Sequence, residues 1–204
     1  MKIKKFRIRP RLSSVGRILK SIMGVKHLPP EVEASLPGEI EDFLPRTMPT
    51  AFYQTWARED MPAAFAETLK HAEASKAVAV SALVATIGAE PEDALSEFLL
   101  NGETQRSQVS SAICEESADL CLHFLMRLLA DDAQTDDCEI SEPISVTDSA
   151  LLGTTLKLLE AEQEGVTFDS ACHLAPRFTR VALVAWWPVA RKKKSSQTSK
   201  KRSA

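Results

Sequence analysis

The sequence predicts a single α+β domain, because helical and strand-like patterns follow one another in mixed order, without a repeat and without regular βαβ alternation. Residues 77–88, AVAVSALVATIG, form an apolar run that ends at a glycine, which is typical of a central strand. The chain has 204 residues, 44% of them hydrophobic and 26% charged, which is enough for one core. We therefore expect a twisted antiparallel or mixed sheet with helices packed to one side.

Two helices are predicted before the first strand. Ser13 or Ser14 can cap the first helix, and Gly24 ends it. Pro30 suits the start of the second helix, since a helix start needs no N–H from that residue. The pair Pro37-Gly38 interrupts the second helix, which predicts two short pieces.

The middle of the chain alternates strand and helix signals. Residues 50–56, TAFYQTW, alternate and are aromatic, which predicts a strand, and Asp60 can cap the helix that follows. After the central strand comes a short helix with Pro91 in its first turn and Gly102 just past its end. These signals predict one short helix before the central strand and one after it.

The longest helical pattern spans residues 103–130 and is followed by an acidic segment, DDAQTDDCEISEPISV, which we interpret as a linker and a short strand. Asp148 can cap the next helix, which Gly165 ends, and two strands around a turn near Pro176 close the chain. Apolar residues of the long helix recur at steps of three and four and predict one buried stripe: Val109, Ile113, Leu120, Phe124, Leu125 and Leu128.

The two ends of the chain are basic and the part between them is acidic. Residues 1–11 carry six Lys and Arg and residues 191–204 carry seven, with no acid in either stretch. Residues 12–190 therefore hold 12 basic and all 28 acidic residues, a net charge of −16. Such a body repels nucleic acid and suits a protein partner with a basic face. We predict a basic arm over residues 1–12, a domain over 13–189 and a basic disordered tail over 190–204.

No motif for catalysis or phosphate binding occurs: GxGxxG, GxxxxGK[ST], HExxH and GxSxG are all absent. No apolar run reaches the roughly 18 residues of a membrane helix, and the basic N-terminus lacks the apolar region of a signal peptide. We expect a cytoplasmic protein that has no catalytic residues of its own and does not act at a membrane.

The residues able to bind metal are not grouped. Four cysteines are scattered without CxxC spacing, which favours reduced thiols over a zinc site or a disulfide framework. Cys172 and His173 are adjacent, so in a strand their side chains would point to opposite faces. Paired acids such as Glu115-Glu116, Asp131-Asp132 and Asp136-Asp137 are interpreted as solvated. We expect no metal site.

Several phrases in succession resemble the activation (reactivation) domain of cobalamin-dependent methionine synthase, in a stand-alone form. The resemblance spans roughly residues 13–187 and depends on the order and spacing of the phrases, not on any one of them. The phrases are VGRILKSIMGVKHLPPEVEASL, RTMPTAFYQTW, AVAVSALVATIGAEPEDALSEFLLNGE, AICEESADLCLHFLMRLL and LKLLEAEQEGVTFDSACHLAPRFTRVALVAW.

The resemblance implies a C-shaped α+β fold with a twisted antiparallel sheet that binds S-adenosylmethionine along its inner edge. In that family the partner's cobalamin drifts to the inactive cob(II)alamin state. An electron donor reduces it while the domain presents the methyl group of S-adenosylmethionine, so the domain positions a reactant and supplies no general acid or base. Cobalamin would thus reach this chain only through a partner.

The family's ligand motif is an arginine followed by a proline–glycine–tyrosine turn, and the resemblance places it on residues 139–144. Glu139 then stands at the arginine position, Ser141 is kept, Pro143 replaces the glycine and Ile144 replaces the tyrosine. A glutamate repels the ligand's carboxylate, and a proline fixes φ and removes an N–H. We therefore expect weak or absent binding of S-adenosylmethionine at this degenerate edge.

Three functions remain open. The first is a non-catalytic accessory protein that docks onto a corrinoid methyltransferase or a methionine synthase module. The second is a functional activation subunit of a split methionine synthase in methionine biosynthesis, with ligand contacts from Thr86 to Gly88 and from Arg177 or Arg180. The third is a nucleic-acid-associated protein that acts through its basic ends.

Overall fold

The structure is a computed structural model that describes residues 1–4, 6–71 and 76–189, without the side chains of residues 70 and 71. The tail expected over residues 190–204 lies outside the described residues. The strands are β1 (Lys2–Lys4), β2 (Thr50–Ala57), β3 (Ala79–Thr86), β4 (Cys138–Ile140), β5 (Ile144–Ser145), β6 (Thr167–Phe168), β7 (Leu174–Ala175) and β8 (Thr179–Pro188). The α-helices are α1 (Leu12–Met23), α2 (Pro30–Phe43), α3 (Ala63–His71), α4 (Glu90–Leu100), α5 (Thr104–Thr135) and α6 (Ser149–Leu158).

The main sheet is antiparallel throughout. In the part of the chain that the structure describes, its order is β1-β2-β3-β8-β4, and β5 also pairs with β8. Strands β6 and β7 form a separate two-stranded sheet. The main sheet curls into a half-barrel, and together with the helices it confirms the single α+β domain. The run predicted as a central strand is β3, in the middle of the sheet between β2 and β8.

Helices cover both faces of this sheet, so the expectation that they pack to one side is wrong. On one face, Leu83 and Val184 pack with residues of α1, α2, α4 and α5. On the other face, Ala82 and Leu183 pack with residues of α3 and α6. The reason lies in β3 and β8, whose consecutive residues are apolar and buried. Since neighbouring side chains of a strand point to opposite faces, both faces require a covering layer.

Helix α2 continues without a break through Pro37, so the prediction of two short pieces is wrong. A proline within a helix removes one backbone hydrogen bond. Here the loss is outweighed by an apolar stripe that faces the core along the whole helix. The buried residues of that stripe are Val32, Leu36, Ile40 and Phe43.

Helix α5 is longer than predicted and includes residues that were expected in the acidic linker. It begins at Thr104, as expected, but ends at Thr135 and not near Ala130. In its second half the fully buried stripe runs through Cys121, Leu125, Leu129 and Ala133, while Leu120, Phe124 and Leu128 are only half-buried. The contacts of Leu129 and Ala133 keep the acidic end of the helix in place.

The helix after the acidic segment begins where the sequence predicts. Asp148 caps it, because its Oδ1 accepts a hydrogen bond from the backbone N–H of Leu151 at 2.9 Å. The helix ends at Leu158 and does not reach Gly165. Glu160, with φ of 52°, separates it from a short 3-10 helix, Ala161–Glu164, and Gly165 ends that element instead.

The last part of the chain forms the two expected strands, β6 and β8, and an additional short strand, β7, between them in the sequence. The first of them, β6, pairs with β7 in a hairpin of its own and does not pair with β8. The long strand β8 then pairs with β3 on one side and with β4 and β5 on the other. It therefore links the core of the sheet to the acidic segment.

Candidate functional site

Residues 138–146, which we call the edge segment, form the border of the sheet farthest from β1. Strand β4 pairs with the end of β8, where Glu139 stands opposite Trp187, and β5 pairs with its middle, where Ile144 stands opposite Leu183. Pro143 lies between the two strands and has no N–H to give to a ladder. The edge segment is therefore one strand interrupted at its proline.

Ser141 repairs the hydrogen bonding at this interruption. Its backbone N–H donates to the carbonyl of Ala185 at 2.9 Å, and its Oγ accepts from the N–H of Ala185 at 3.0 Å. The same hydroxyl donates to the carbonyl of Glu142 at 2.7 Å. The serine side chain thus replaces the carbonyl that a continuous strand would offer, and its single O–H donor is already used within the edge segment.

The electrostatics of the edge segment are uniformly negative. Glu139 and Glu142 are exposed, and no Lys, Arg or Tyr occurs between residues 131 and 150. Arg180, near the start of β8, is already bound on α5. It donates from Nε to Asp119 at 2.8 Å and from a terminal nitrogen to Glu115 at 2.6 Å. The edge segment therefore has no cation of its own to pair with a ligand carboxylate, and Arg180 is already paired.

The remaining predicted site residues lie where β3 ends and β8 begins. Thr86 is buried, and its Oγ1 accepts hydrogen bonds from the Thr179 hydroxyl at 3.0 Å and from the Gly88 N–H at 3.2 Å. Gly88 has φ of 86°, a backbone conformation that favours glycine, and a Cβ at this position would stand 3.4 Å from the Cβ of Met48, close to an ordinary contact. Arg177 is exposed, with its guanidinium 5.2 Å from the centre of the Phe178 ring.

These two groups of residues are far apart. Thr86 stands opposite Thr179 at the first residue of β8, and Glu139 stands opposite Trp187, eight residues further along. At about 3.3 Å per residue, the separation along β8 is roughly 26 Å for Glu139 and roughly 13 Å for Ile144, which stands opposite Leu183. The structure therefore brings Glu139, Ser141, Pro143 and Ile144 into one row and places Thr86, Gly88 and Arg177 at the opposite end.

Three of the acids that were interpreted as solvated, Glu115, Glu116 and Asp132, have specific partners. Glu116 is 2% exposed and accepts a hydrogen bond from Arg11 Nε at 2.9 Å, while Glu115 binds Arg180. Interpreting this pair as solvated was wrong, because α5 is surrounded on most sides in this stretch. A signal was present in the sequence, since Glu116 lies three residues after Ile113, on the apolar stripe.

Asp132 is also bound, and it lies beside the edge segment. A cleft of about 580 Å³ is lined in part by Asp132, Asp136 and Cys138. The hydroxyl of Tyr53 donates to Asp132 Oδ2 at 2.6 Å. Burial, this hydrogen bond and the charge of Asp132 together raise the pKa of Tyr53 to about 12. The hydrogen bond connects β2 to the end of α5.

The cysteines and histidines do not converge. Cys114 and Cys121 are buried in the core, and burial raises the pKa of the Cys121 thiol to about 12. His173 Nδ1 lies 3.0 Å from Asp169 Oδ2 in an exposed turn. Among the described residues, no three His, Cys, Asp or Glu side chains are placed to hold a metal ion.

No helix in the described ranges is long and apolar enough to cross a membrane.

Comparison with known proteins finds a likeness of fold among solved structures. No family model and no curated protein matches the sequence. Among solved structures, the fold is similar to the crystal structure of the MetH reactivation domain bound to AdoHcy. The TM-score is 0.60 at 12% sequence identity, over 94% of this chain and 79% of the other. The expected likeness to the methionine synthase reactivation domain is therefore confirmed at the level of the fold, while weak or absent binding of S-adenosylmethionine at the edge segment stays a prediction.

Proposed function

We propose that this protein is a docking protein built on the reactivation-domain fold, which binds a corrinoid methyltransferase module and holds S-adenosylmethionine weakly or not at all. The observation that carries the proposal is the edge segment, which is acidic and has no available cation. Fold likeness to a domain bound to AdoHcy, over nearly the whole chain, supports a relationship to that system.

The residues of the edge segment do not fit the amino-acid end of S-adenosylmethionine. That end carries a carboxylate, which needs a guanidinium or free N–H groups. Here Glu139 contributes a negative charge, Pro143 has no N–H, and the Ser141 hydroxyl is already bonded within the sheet. Loss of one or two charge-assisted hydrogen bonds lowers affinity by roughly one to four powers of ten.

The same charges suit a protein partner with a basic face. Glu139 and Glu142 project from an exposed border of an acidic body, so a basic surface would be attracted to it and would associate faster at low salt. The partner that the fold likeness suggests is the cobalamin-binding module of methionine synthase. In this arrangement the protein contributes a surface and no reacting group.

Two experiments test the two parts of this proposal separately. Isothermal titration of the full chain with S-adenosylmethionine should give no measurable heat, and a micromolar dissociation constant would show that the argument from the edge segment is wrong. Pull-down with a purified cobalamin-binding module at low salt should retain the wild-type chain. No retention would count against docking.

A pair of charge-reversed variants locates the surface. Glu139→Lys with Glu142→Lys should abolish retention, since like charges would then meet. Glu31→Lys with Glu33→Lys, two exposed acids on α2, changes the net charge equally and should keep retention. Equal loss in both variants would mean that net charge alone, and not the edge segment, attracts the partner.

A further inference from the structure

A groove of about 820 Å³ opens on the side of the molecule where residues 6–11, which we call the strap, pass the end of α2 and the residues after it. Ten of its fourteen lining residues are apolar, including Ile8, Ile40 and Leu44. Volumes of roughly 300–1,000 Å³ with mostly apolar walls are typical of small-molecule sites. None of the residues of the edge segment lines this groove.

The charged residues of the groove carry a net positive charge. They are Arg7, Arg9 and Glu41, all exposed, so the sum is +1. In the part of the chain that the structure describes, neither Arg7 nor Arg9 makes a hydrogen bond or an ion pair. Two residues further on, Arg11 is bound to Glu116. The guanidinium groups of Arg7 and Arg9 are therefore both available to a ligand in the groove.

The strap is held in place without these two arginines. The ring of Phe6 stacks on that of Phe124, with centres 4.3 Å apart and planes at 17°, and Ile8 packs against the core. In an extended segment neighbouring side chains alternate in direction, so Phe6 and Ile8 anchor the strap while Arg7 and Arg9 remain available. The groove is therefore formed before any ligand arrives, which reduces the entropy cost of binding.

We infer that this groove binds a small organic monoanion with an apolar body, such as an aromatic or aliphatic carboxylate. The apolar part would lie against Ile40 and Leu44, and the anionic group would accept hydrogen bonds from Arg7 or Arg9. A guanidinium gives two parallel donors to a carboxylate or sulfonate, so the geometry favours an anion over a neutral ligand. A single negative charge balances the net charge of the groove.

The test uses two fluorescent probes with the same ring system. 1-Anilinonaphthalene-8-sulfonate carries one negative charge, and N-phenyl-1-naphthylamine has the same apolar body without it. The full chain should bind the sulfonate more tightly than the neutral probe. Equal affinity for both probes would overturn the proposal. Absence of binding of either probe would overturn it as well.

Variants assign the preference to the two arginines. Arg7→Gln with Arg9→Gln should weaken binding of the sulfonate about tenfold or more and leave the neutral probe unchanged. The control is Arg17→Gln with Arg127→Gln, two exposed arginines on α1 and α5 that remove the same charge. Equal weakening in the control would overturn the assignment. Both double variants should keep the wild-type melting temperature, which excludes probe binding to a loosened fold.

The position of the probe is read from a methionine. Met48 lines the groove and is 54% exposed, so its methyl carbon, assigned with Met48→Leu, reports on occupancy by NMR. Addition of the sulfonate should shift the Met48 signal more than those of the other four methionines. An unchanged Met48 signal at saturation would overturn the proposal.

Discussion

The strap and the edge segment are both extended stretches at the border of the molecule, but different interactions hold them. The strap is attached by side chains: Phe6 stacks on Phe124, and Arg11 reaches the buried Glu116. The edge segment is attached to β8 by backbone hydrogen bonds, together with the Ser141 hydroxyl. Side-chain contacts thus anchor the strap, whereas mainly backbone hydrogen bonds anchor the edge segment.

This difference determines what each stretch can offer to another molecule. A stretch anchored by some of its side chains keeps the others free, and in the strap these are Arg7 and Arg9. A stretch anchored by its backbone has used its N–H and carbonyl groups on the inner side, and in the edge segment the exposed groups are Glu139 and Glu142. The strap therefore suits an anion, and the edge segment suits a basic surface.

The largest effect is expected where the strap meets the core. Arg11→Ala leaves the carboxylate of Glu116 buried without its partner. Removing one member of a buried pair costs about 3–5 kcal/mol, and since the Arg11 side chain is 63% exposed we expect about 2–3 kcal/mol. Urea unfolding measures the change.

Two further variants show whether the buried charge is the cause. Adding Glu116→Gln to Arg11→Ala should recover part of the loss, because an unpaired amide costs less than an unpaired carboxylate. Arg9→Ala, on the same strap but with no partner among the described residues, should change stability by less than about 0.5 kcal/mol. A loss below that value for Arg11→Ala would mean that the pair of Arg11 and Glu116 does not anchor the strap.

The edge segment is tested at its interruption. Ser141→Ala removes the acceptor for the N–H of Ala185 and should lower the free energy of unfolding by about 1–2 kcal/mol. Faster hydrogen exchange at Ala185 would identify the cause. Glu139→Ala, two residues away and exposed, should stay within about 0.5 kcal/mol. Similar values for the two variants would contradict the view that the Ser141 hydroxyl replaces a hydrogen bond of this ladder.

A smaller effect is expected at the hydrogen bond between Tyr53 and Asp132, which joins β2, next to β1, to the helix that leads into the edge segment. Tyr53 is the one tyrosine of the chain, so absorbance at 295 nm follows its ionisation alone. The midpoint should lie near 12 and should fall in Asp132→Asn, with a loss of about 1 kcal/mol of stability. Asp136→Asn is the matched control, and a wild-type midpoint near 10 would contradict the prediction.

The sign of the pH dependence follows from the direction of this shift. The folded protein holds the tyrosine proton more tightly than the unfolded chain, whose tyrosine titrates at about 10. The stabilisation is therefore complete below pH 10 and is lost as the pH rises from 10 to 12. Far-UV circular dichroism over the same pH range shows whether the secondary structure is still intact while Tyr53 ionises.

The sequence by itself determined the features that depend on near neighbours. The apolar run that became β3, the cap at Asp148 and the glycine at position 88 each follow from a local requirement: burial on both faces, a free N–H group, and a positive φ. The α+β class follows from the order of such elements. Those requirements act over a few residues, so they can be read before the fold is known.

Only the tertiary structure decided which distant groups meet. Arg11 and Glu116 are 105 positions apart, and Tyr53 and Asp132 are 79 apart, so no local pattern pairs them. The continuation of α2 through Pro37 depends on packing that outweighs a local signal. The register of β8 separates Thr86 from Glu139, although the sequence allowed both in one site. Long-range register and packing set these positions, because the side chains involved gain their partners only when the chain closes on itself.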